Sequence, residues 1–425
     1  MDSDDGRTVK IGTRVSLGHR NYKLMYDMLT GIRISVGRVS AKMPKELVAM
    51  DFLEEHKMGF DIMGNELTPG VRYDFKFKDY APWVFRLLRE KFRIDAADYL
   101  MTLTEKYILS EINSPGKSGS FFYYSRDYRF IIKTIHHTEH KTIRRVLKDY
   151  YEHVSANPDT LLCRYYGLHR IKLPHGRKIH FVVMGNVLPN DKVVHETYDL
   201  KGSTFGRLTP DEIANQSGAI LKDLNWVLNG KKLELGPQKR NLLMEQLRKD
   251  VDLLVRLQVM DYSLLVGIYD FSKGYTGPSH LKIVSPQANE LQKTVSIRGR
   301  RESKAEILRQ AINSASPVQL DPAELPELPS EERKYCKFYA EDGGFRSTDT
   351  DNKPTDKLYY FGIIDILTPY NYVKKSEHLL KSFTQNKTTI SAVEPEEYGR
   401  RFLEFMETVV IPIPAARAKI ELQTI

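Results

Sequence analysis

The sequence predicts a mixed α and β protein, in two lobes or in one domain with large insertions, and three observations carry that prediction. Its 425 residues exceed the usual length of a single domain. Short segments that alternate apolar and polar residues, one pair forming a clear hairpin, recur along the chain. Between them lie stretches with apolar residues at i, i+3, i+4 and i+7, the helical spacing. With 41% hydrophobic and 10% aromatic residues, either architecture can bury a sizeable core.

Taken in order, about Asn21 to Leu53 alternates loosely, as a lid or scaffold would. Tyr73–Tyr80 alternates aromatic and charged residues and reads as a strand with a solvated face, and Ala81-Pro82 suits the start of a helix running towards Tyr107. Next comes Ser114–Ser120, containing Gly116, Lys117, Ser118 and Gly119, followed by apolar strands at Phe121–Tyr124 and Phe130–Ile135. Glycines among small hydroxylated residues let backbone N–H groups approach an anion, and Lys133 on the following strand adds a point charge. Taken alone, this stretch reads equally well as a solvated surface hairpin.

A helix follows with Ile143, Val146, Leu147, Tyr150, Tyr151 and Val154 on one face, ended by Asn157-Pro158. Cys163–Leu173 and Lys178–Val187 read as two strands around Pro174–Arg177, the second leading from Met184 through Asn186 and Val187 into exposed backbone. Tyr198–Arg207 is dense in charge and glycine, either an anion-binding loop or a solvated turn. A long helix from about Gln238 to Gln258 stops just before Met260-Asp261-Tyr262, at the mouth of a short apolar strand. About Lys273 to Asp356 carries a basic stretch and then a proline-rich acidic connector, expected to be flexible. Strand character returns at Leu358–Ile364, which ends on Asp365, and a helix closes the series near Tyr398–Val409.

The net charge of +9 points to an anionic partner: nucleic acid, an acidic membrane face or phosphorylated metabolites. Two cysteines, Cys163 and Cys336, are too few for a disulfide framework or a cysteine zinc site, and both read as core residues. Met1–Asp5 is acidic, without the basic segment and apolar core of a signal peptide, and no apolar run is long enough to cross a bilayer. A cytosolic chain with peripheral membrane contact is the expectation.

Glycine loop, strand lysine, helix, linker, long helix, Asp261 and Asp365 follow the order of parts that phosphoryl transfer of the kinase type requires. Magnesium prefers oxygen ligands, which Asp365 could supply, and Asp261 could orient or deprotonate an acceptor hydroxyl. Either aspartate alone reads as a helix cap or turn residue. A Walker A loop fails because Glu111 stands where its first glycine belongs, and the protein-kinase His-Arg-Asp and Asp-Phe-Gly signatures are absent from the sequence.

Asn113–Phe122, Phe130–Ile135, Tyr198–Thr204, Met260–Leu265 and Gly362–Asp365 resemble, in order, the signature blocks of the phosphatidylinositol phosphate kinases. The likeness spans roughly Asn21 to Val410 and includes Phe75–Pro82 and Glu341–Gly344. It implies an α+β fold: a two-lobed lipid kinase distantly similar to protein kinases, with antiparallel sheets, packed helices and a flat basic membrane face. The implied divisions are a tail over about 1–20, an N-terminal lobe over about 21–187, a C-terminal lobe over about 188–410 and a tail over about 411–425. The C-terminal lobe would hold a flexible insert at about 285–335 and a specificity loop at about 366–391.

The resemblance also implies ATP and Mg2+ as cofactors. Lys133 and the loop Gly116–Gly119 would meet the phosphates and Met184, Asn186 and Val187 adenine; Asp365 would hold magnesium, and Asp261 and Lys201 would serve the reaction. Arg207, Lys374, Lys375 and Glu377 would face the lipid. A glutamate after the paired lysines marks the type I enzymes, which convert phosphatidylinositol 4-phosphate to the 4,5-bisphosphate; type II enzymes, acting on the 5-phosphate, have alanine there. This chain reads Lys374-Lys375-Ser376-Glu377-His378 and so resembles type I, while Val266–Ile268 and Glu394–Tyr398 lean to type II, which stays the alternative. Implied partners are an anionic membrane surface on the inner face of the plasma membrane, phosphatidylinositol 4-phosphate and, by family habit, a second copy of the chain; no nucleic acid is expected. A kinase for soluble inositol phosphates or proteins and a non-catalytic phosphoinositide-binding scaffold are the rival readings.

Overall fold

The structure is a computed structural model and describes residues 9–15, 22–64, 68, 70–71, 73–104, 109–113, 120–125, 127–189, 191–192, 194–216, 218–273, 281–285, 316–319, 334–370 and 394–411. They divide into two units, the first drawn from Met1–Pro158, Arg164–Lys192 and Gly277–Glu332, the second from Asp159–Cys163, Val193–Thr276 and Arg333–Ile425.

The first unit contains strands β1 (Val9–Val15), β2 (Glu55–Phe60), β3 (Phe75–Tyr80), β4 (Leu109–Asn113), β5 (Phe121–Tyr124), β6 (Phe130–Ile135), β7 (Tyr165–Lys172) and β8 (Lys178–Gly185), with β13 (Leu281–Ser285) and β14 (Ser316–Gln319). They form one ten-stranded sheet in the order β14-β13-β1-β4-β5-β6-β8-β7-β3-β2. Only β1 and β13 run parallel; the other pairs are antiparallel. Helices α1 (Tyr22–Ser40), α2 (Pro82–Lys91), α3 (Ala96–Thr104) and α4 (His137–Ala156) complete the unit. Pro82 opens α2 as its sequence position suggests, and Arg93, at φ 57°, separates α2 from α3.

Three expectations change here. The loosely alternating stretch after Asn21 is the 19-residue helix α1, whose buried face carries Met25, Met28, Leu29, Ile32, Val36 and Val39. Glycine and β-branched residues lower its helix propensity, and packing overrides them. At Gly31 an added Cβ would lie 2.1 Å from the Phe77 ring, so the glycine lets α1 seat on β3. Secondly, residues 9–15, read as tail, form a strand, and the insert places 281–285 and 316–319 in the same sheet. Thirdly, the charges of β3 are not simply solvated: Lys78 pairs with Glu55, and Asp79 is buried with its Oδ1 3.1 Å from His169 Nδ1.

In the second unit, β10 (Ile220–Lys222), β9 (Glu196–Leu200), β12 (Ser263–Asp270), β16 (Pro354–Ile364) and β15 (Phe345–Thr348) lie side by side in that order, and β11 (Leu233–Glu234) pairs with β17 (Val410–Ile411). Its helices are α5 (Asp211–Ala214), α6 (Asp223–Leu228), α7 (Pro237–Arg256) and α8 (Pro395–Val409). As the periodicity predicts, α7 buries Leu243, Leu247, Val251 and Leu254, and it packs on α8. Burying each such leucine contributes about 2 kcal/mol. Cys163 and Cys336 are buried thiols, and among the described residues no helix is long and apolar enough to cross a membrane.

Candidate active site

In the second unit the strand register assembles the chemistry. β12 pairs with β9 through Leu264 and Leu200 and with β16 through Leu264 and Ile363, so these three strands come level at one edge of the sheet. Lys201 follows the end of β9, Asp365 follows the end of β16, and Asp261 stands two residues before β12. Three polar residues distant in sequence therefore occupy one sheet edge. Lys201 Nζ donates to the Asp261 carbonyl oxygen at 2.7 Å.

Both aspartates adopt left-handed backbone, φ 63° at Asp261 and 60° at Asp365, a conformation that costs most residues and gathers at functional sites. The surrounding chain holds them there. Met260 N–H donates to Thr368 O at 3.0 Å and Tyr370 N–H to Gln258 O at 2.9 Å, clasping the two turns together. Tyr398 of α8 donates its hydroxyl to Tyr262 O, and its ring lies edge-on to that of Tyr262. Burial first, and then the charge of Asp261, holds the Tyr398 phenol far above its ordinary range, so it stays a hydrogen-bond donor.

Beneath Lys201 lies Asp223, the first residue of α6 and 1% exposed. Its Oδ1 accepts from the N–H groups of Lys201 and Gly202, each at 2.8 Å, and its Oδ2 from Arg207 Nε at 2.6 Å. Gly202 is required twice over: φ is 69°, and a Cβ would lie 3.1 Å from Arg401 O and Phe405 Cβ. Arg207, expected on the lipid, is buried between Asp223 and Asp199. Burial acts to lower its pKa, but the two carboxylates outweigh burial and raise it. Its guanidinium braces the loop from beneath.

The first unit holds the residues expected on a nucleotide. Lys133, on β6 between Phe122 of β5 and Val182 of β8, has its Nζ 3.8 Å from Glu139 Oε1 and 5.5 Å from the centre of the Phe122 ring. Glu139 also accepts from His136 N–H at 2.7 Å, closing a capping box at the start of α4. The reading of the sequence missed Glu139, although its place three residues after His136, before an apolar run, was a usable sign. It missed Asp223 too, for which 22 residues of separation from Lys201 left no local sign. Met184 is paired within the sheet, Asn186 N–H donates to Arg129 O and Asn186 Nδ2 to Tyr128 O, both at 2.9 Å. The Asn186 amide thus fastens the end of β8 to the turn before β6; beyond it the backbone is not exposed as expected, for Val187 is buried and Leu188 N–H donates to Asn186 Oδ1 at 3.2 Å. Gly116, Lys117, Ser118, Gly119, Lys374, Lys375 and Glu377 lie outside the described residues.

A family model described as Phosphatidylinositol-4-phosphate 5-Kinase matches residues 103–409. Over 415 residues the chain is 53% identical to phosphatidylinositol 4-phosphate 5-kinase its3 of Schizosaccharomyces pombe, covering 96% of this chain and 56% of that one. It is 35% identical over 442 residues to phosphatidylinositol 4-phosphate 5-kinase 1 of Oryza sativa subsp. japonica, with 92% and 54% covered. Against phosphatidylinositol 4-phosphate 5-kinase 4 of Arabidopsis thaliana it is 37% identical over 410 residues, with 93% and 51% covered. The chain spans about half the length of the curated relatives it matches. The match takes in Lys133, Lys201, Asp261 and Asp365 within its bounds, and this chain belongs to the phosphatidylinositol-4-phosphate 5-kinase family.

Proposed function

We propose that this chain transfers the γ-phosphoryl group of ATP to the 5-hydroxyl of phosphatidylinositol 4-phosphate, giving phosphatidylinositol 4,5-bisphosphate. The observation that carries the reading is the common sheet edge of Lys201, Asp261 and Asp365, supported by kinship with proteins named for that reaction. The Asp261 carboxylate orients the acceptor hydroxyl and takes its proton as the oxygen attacks the γ-phosphorus and the bond to ADP breaks. Lys201, held by its bond to Asp261 O, adds positive charge where negative charge develops. In the first unit, Lys133 binds ATP phosphate and Glu139 keeps it aligned.

Asp365 is an exposed carboxylate at a strand end, a hard oxygen donor of the kind magnesium takes alongside substrate phosphates. Magnesium, when bound, neutralises phosphate charge. Lys374 and Lys375 serve the anionic headgroup and the inner face of the plasma membrane, each basic residue near that surface contributing about 1 kcal/mol. Glu377 sets the preference for the 4-phosphate, Met184, Asn186 and Val187 border the adenine, Gly116–Gly119 cover the phosphates, and a flat basic face seats a homodimer on the bilayer.

The test presents ATP and vesicles carrying each phosphatidylinositol monophosphate in turn, with the product isomer identified. Dominant conversion of the 4-phosphate to the 4,5-bisphosphate is expected. Preference for the 5-phosphate would replace this reading with the type II reaction, and equal turnover of detached headgroups would remove the membrane from it.

A further inference from the structure

The head of α4 carries a second arrangement, which phosphoryl transfer does not use. His137 is the first residue of α4 and exposed; His140 lies one turn on and is 4% exposed; His180, on β8, is 8% exposed. In the register, His180 stands opposite Ile135, the last residue of β6, so the strand pair brings it to the point where the chain turns into α4. One ring nitrogen of each histidine lies within 4.8 Å of those of the other two. The ring centres are 4.2 Å apart for His140 and His180, 5.3 Å for His137 and His180, and 5.8 Å for His137 and His140.

Among the described residues neither ring nitrogen of His140 has a hydrogen-bond partner, although both are buried. A buried polar side chain left unpaired on every polar atom calls for a ligand or another explanation. Tyr80 packs against the ring at 4.6 Å between centres, which accounts for its faces but not for its nitrogens.

We propose that His137, His140 and His180 bind one zinc ion, which ties the first turn of α4 to β8. Three imidazoles suit zinc and its neighbours among the transition metals and not magnesium or calcium, so this site is chemically separate from the carboxylate edge of the second unit. Zinc–nitrogen bonds of about 2.0–2.1 Å ask for nitrogens about 3.4 Å apart in a tetrahedron. The three nitrogens, within 4.8 Å of one another, must therefore draw closer on binding, and the exposed side at His137 leaves the fourth position to water.

Burial first, and then neighbouring positive charge, pushes His140 down to about 3 and His180 down to about 4, so both rings are neutral, the form that binds metal. Arg144, Arg170 and Lys178, with the positive end of α4, oppose a dication. Chelation by three ligands from two rigid elements works against that repulsion. Glu139 lies between His137 and His140 in the same turn, so a bound zinc would fix the carboxylate that pairs with Lys133.

The test uses the full chain, stripped with chelator and titrated with cobalt chloride, then with zinc chloride. Expected are visible d–d bands of four-coordinate cobalt that saturate at one equivalent, displacement by zinc, and a higher melting temperature with zinc. His137→Ala, at an exposed position, should weaken binding at least about tenfold and remove the thermal shift; His180→Phe should do the same. His56→Ala, a histidine outside the cluster, should bind as the parent does. Absence of the cobalt bands, or parental affinity in His137→Ala, would overturn the site.

Discussion

Replacing Asp223 with asparagine tests how the Lys201 loop is held. The amide keeps Oδ1 for the N–H groups of Lys201 and Gly202, and sets an NH2 group against Arg207 Nε where a carboxylate oxygen stood at 2.6 Å. Donor then faces donor in a site that is 1% exposed at Asp223. Breaking a buried ion pair by removing one partner costs about 3–5 kcal/mol. Asp199, 3.4 Å from the same guanidinium, retains part of the compensation, so the lower end, about 3 kcal/mol, is expected. The readout is built into the unit. Trp226 is buried in α6 against Tyr198, and Trp83 belongs to the first unit, so in a Trp83→Phe background urea unfolding followed by fluorescence reports on this region alone. Adding Arg207→Met removes the stranded charge and should restore about 2 kcal/mol. A shift below about 1 kcal/mol for the single variant, or a double variant no more stable than it, would refute the account of Arg207 as a brace.

Three further outcomes are expected. Lys133→Met should abolish turnover while vesicle binding, measured by co-sedimentation, stays at the parental level; retention of most of the rate would detach Lys133 from ATP. Glu377→Ala should move the preference from the 4-phosphate towards the 5-phosphate in a two-substrate vesicle competition, and unchanged selectivity would remove Glu377 from substrate choice. Asp98 is bonded to Arg129 at 2.6 and 2.8 Å, and that contact, against burial, holds its carboxyl below the ordinary 3.8. A depressed folded-state value means that its contribution is whole above the ordinary pKa and is lost as pH falls through the depressed one. Acid titrations of stability should accordingly show a limb below about pH 4 that Arg129→Gln flattens.

Periodic and punctuated stretches were legible from sequence. The hairpin at Pro174–Arg177, α4 with its Asn157-Pro158 stop, α7, and the strands ending at or opening after Asp365 and Asp261 all stand where spacing placed them. Legibility failed where distant packing decides. Nothing local in Tyr22–Ser40 says that Phe77 will fill the notch at Gly31, and nothing local in Asp223 says that it will hold Lys201. Arg207 misled for a related reason. A cation in a glycine-rich loop looks like an anion ligand until the carboxylates beside it in space, Asp199 and Asp223, are known.

The ten-stranded sheet has a consequence for synthesis. One edge of β1 is closed early by β4, but its other edge waits for β13, about 270 residues later in the chain. At about 5–20 residues per second, a ribosome leaves that edge open for roughly 13–54 s. An unpaired strand edge is a template for wrong partners throughout that interval. When β13 arrives, β14 completes the sheet with Pro317 in its outermost strand, a residue without an N–H to donate. The last strand to join this sheet thus also discourages further addition at that edge, so the exposure of β1 ends once residue 319 has emerged.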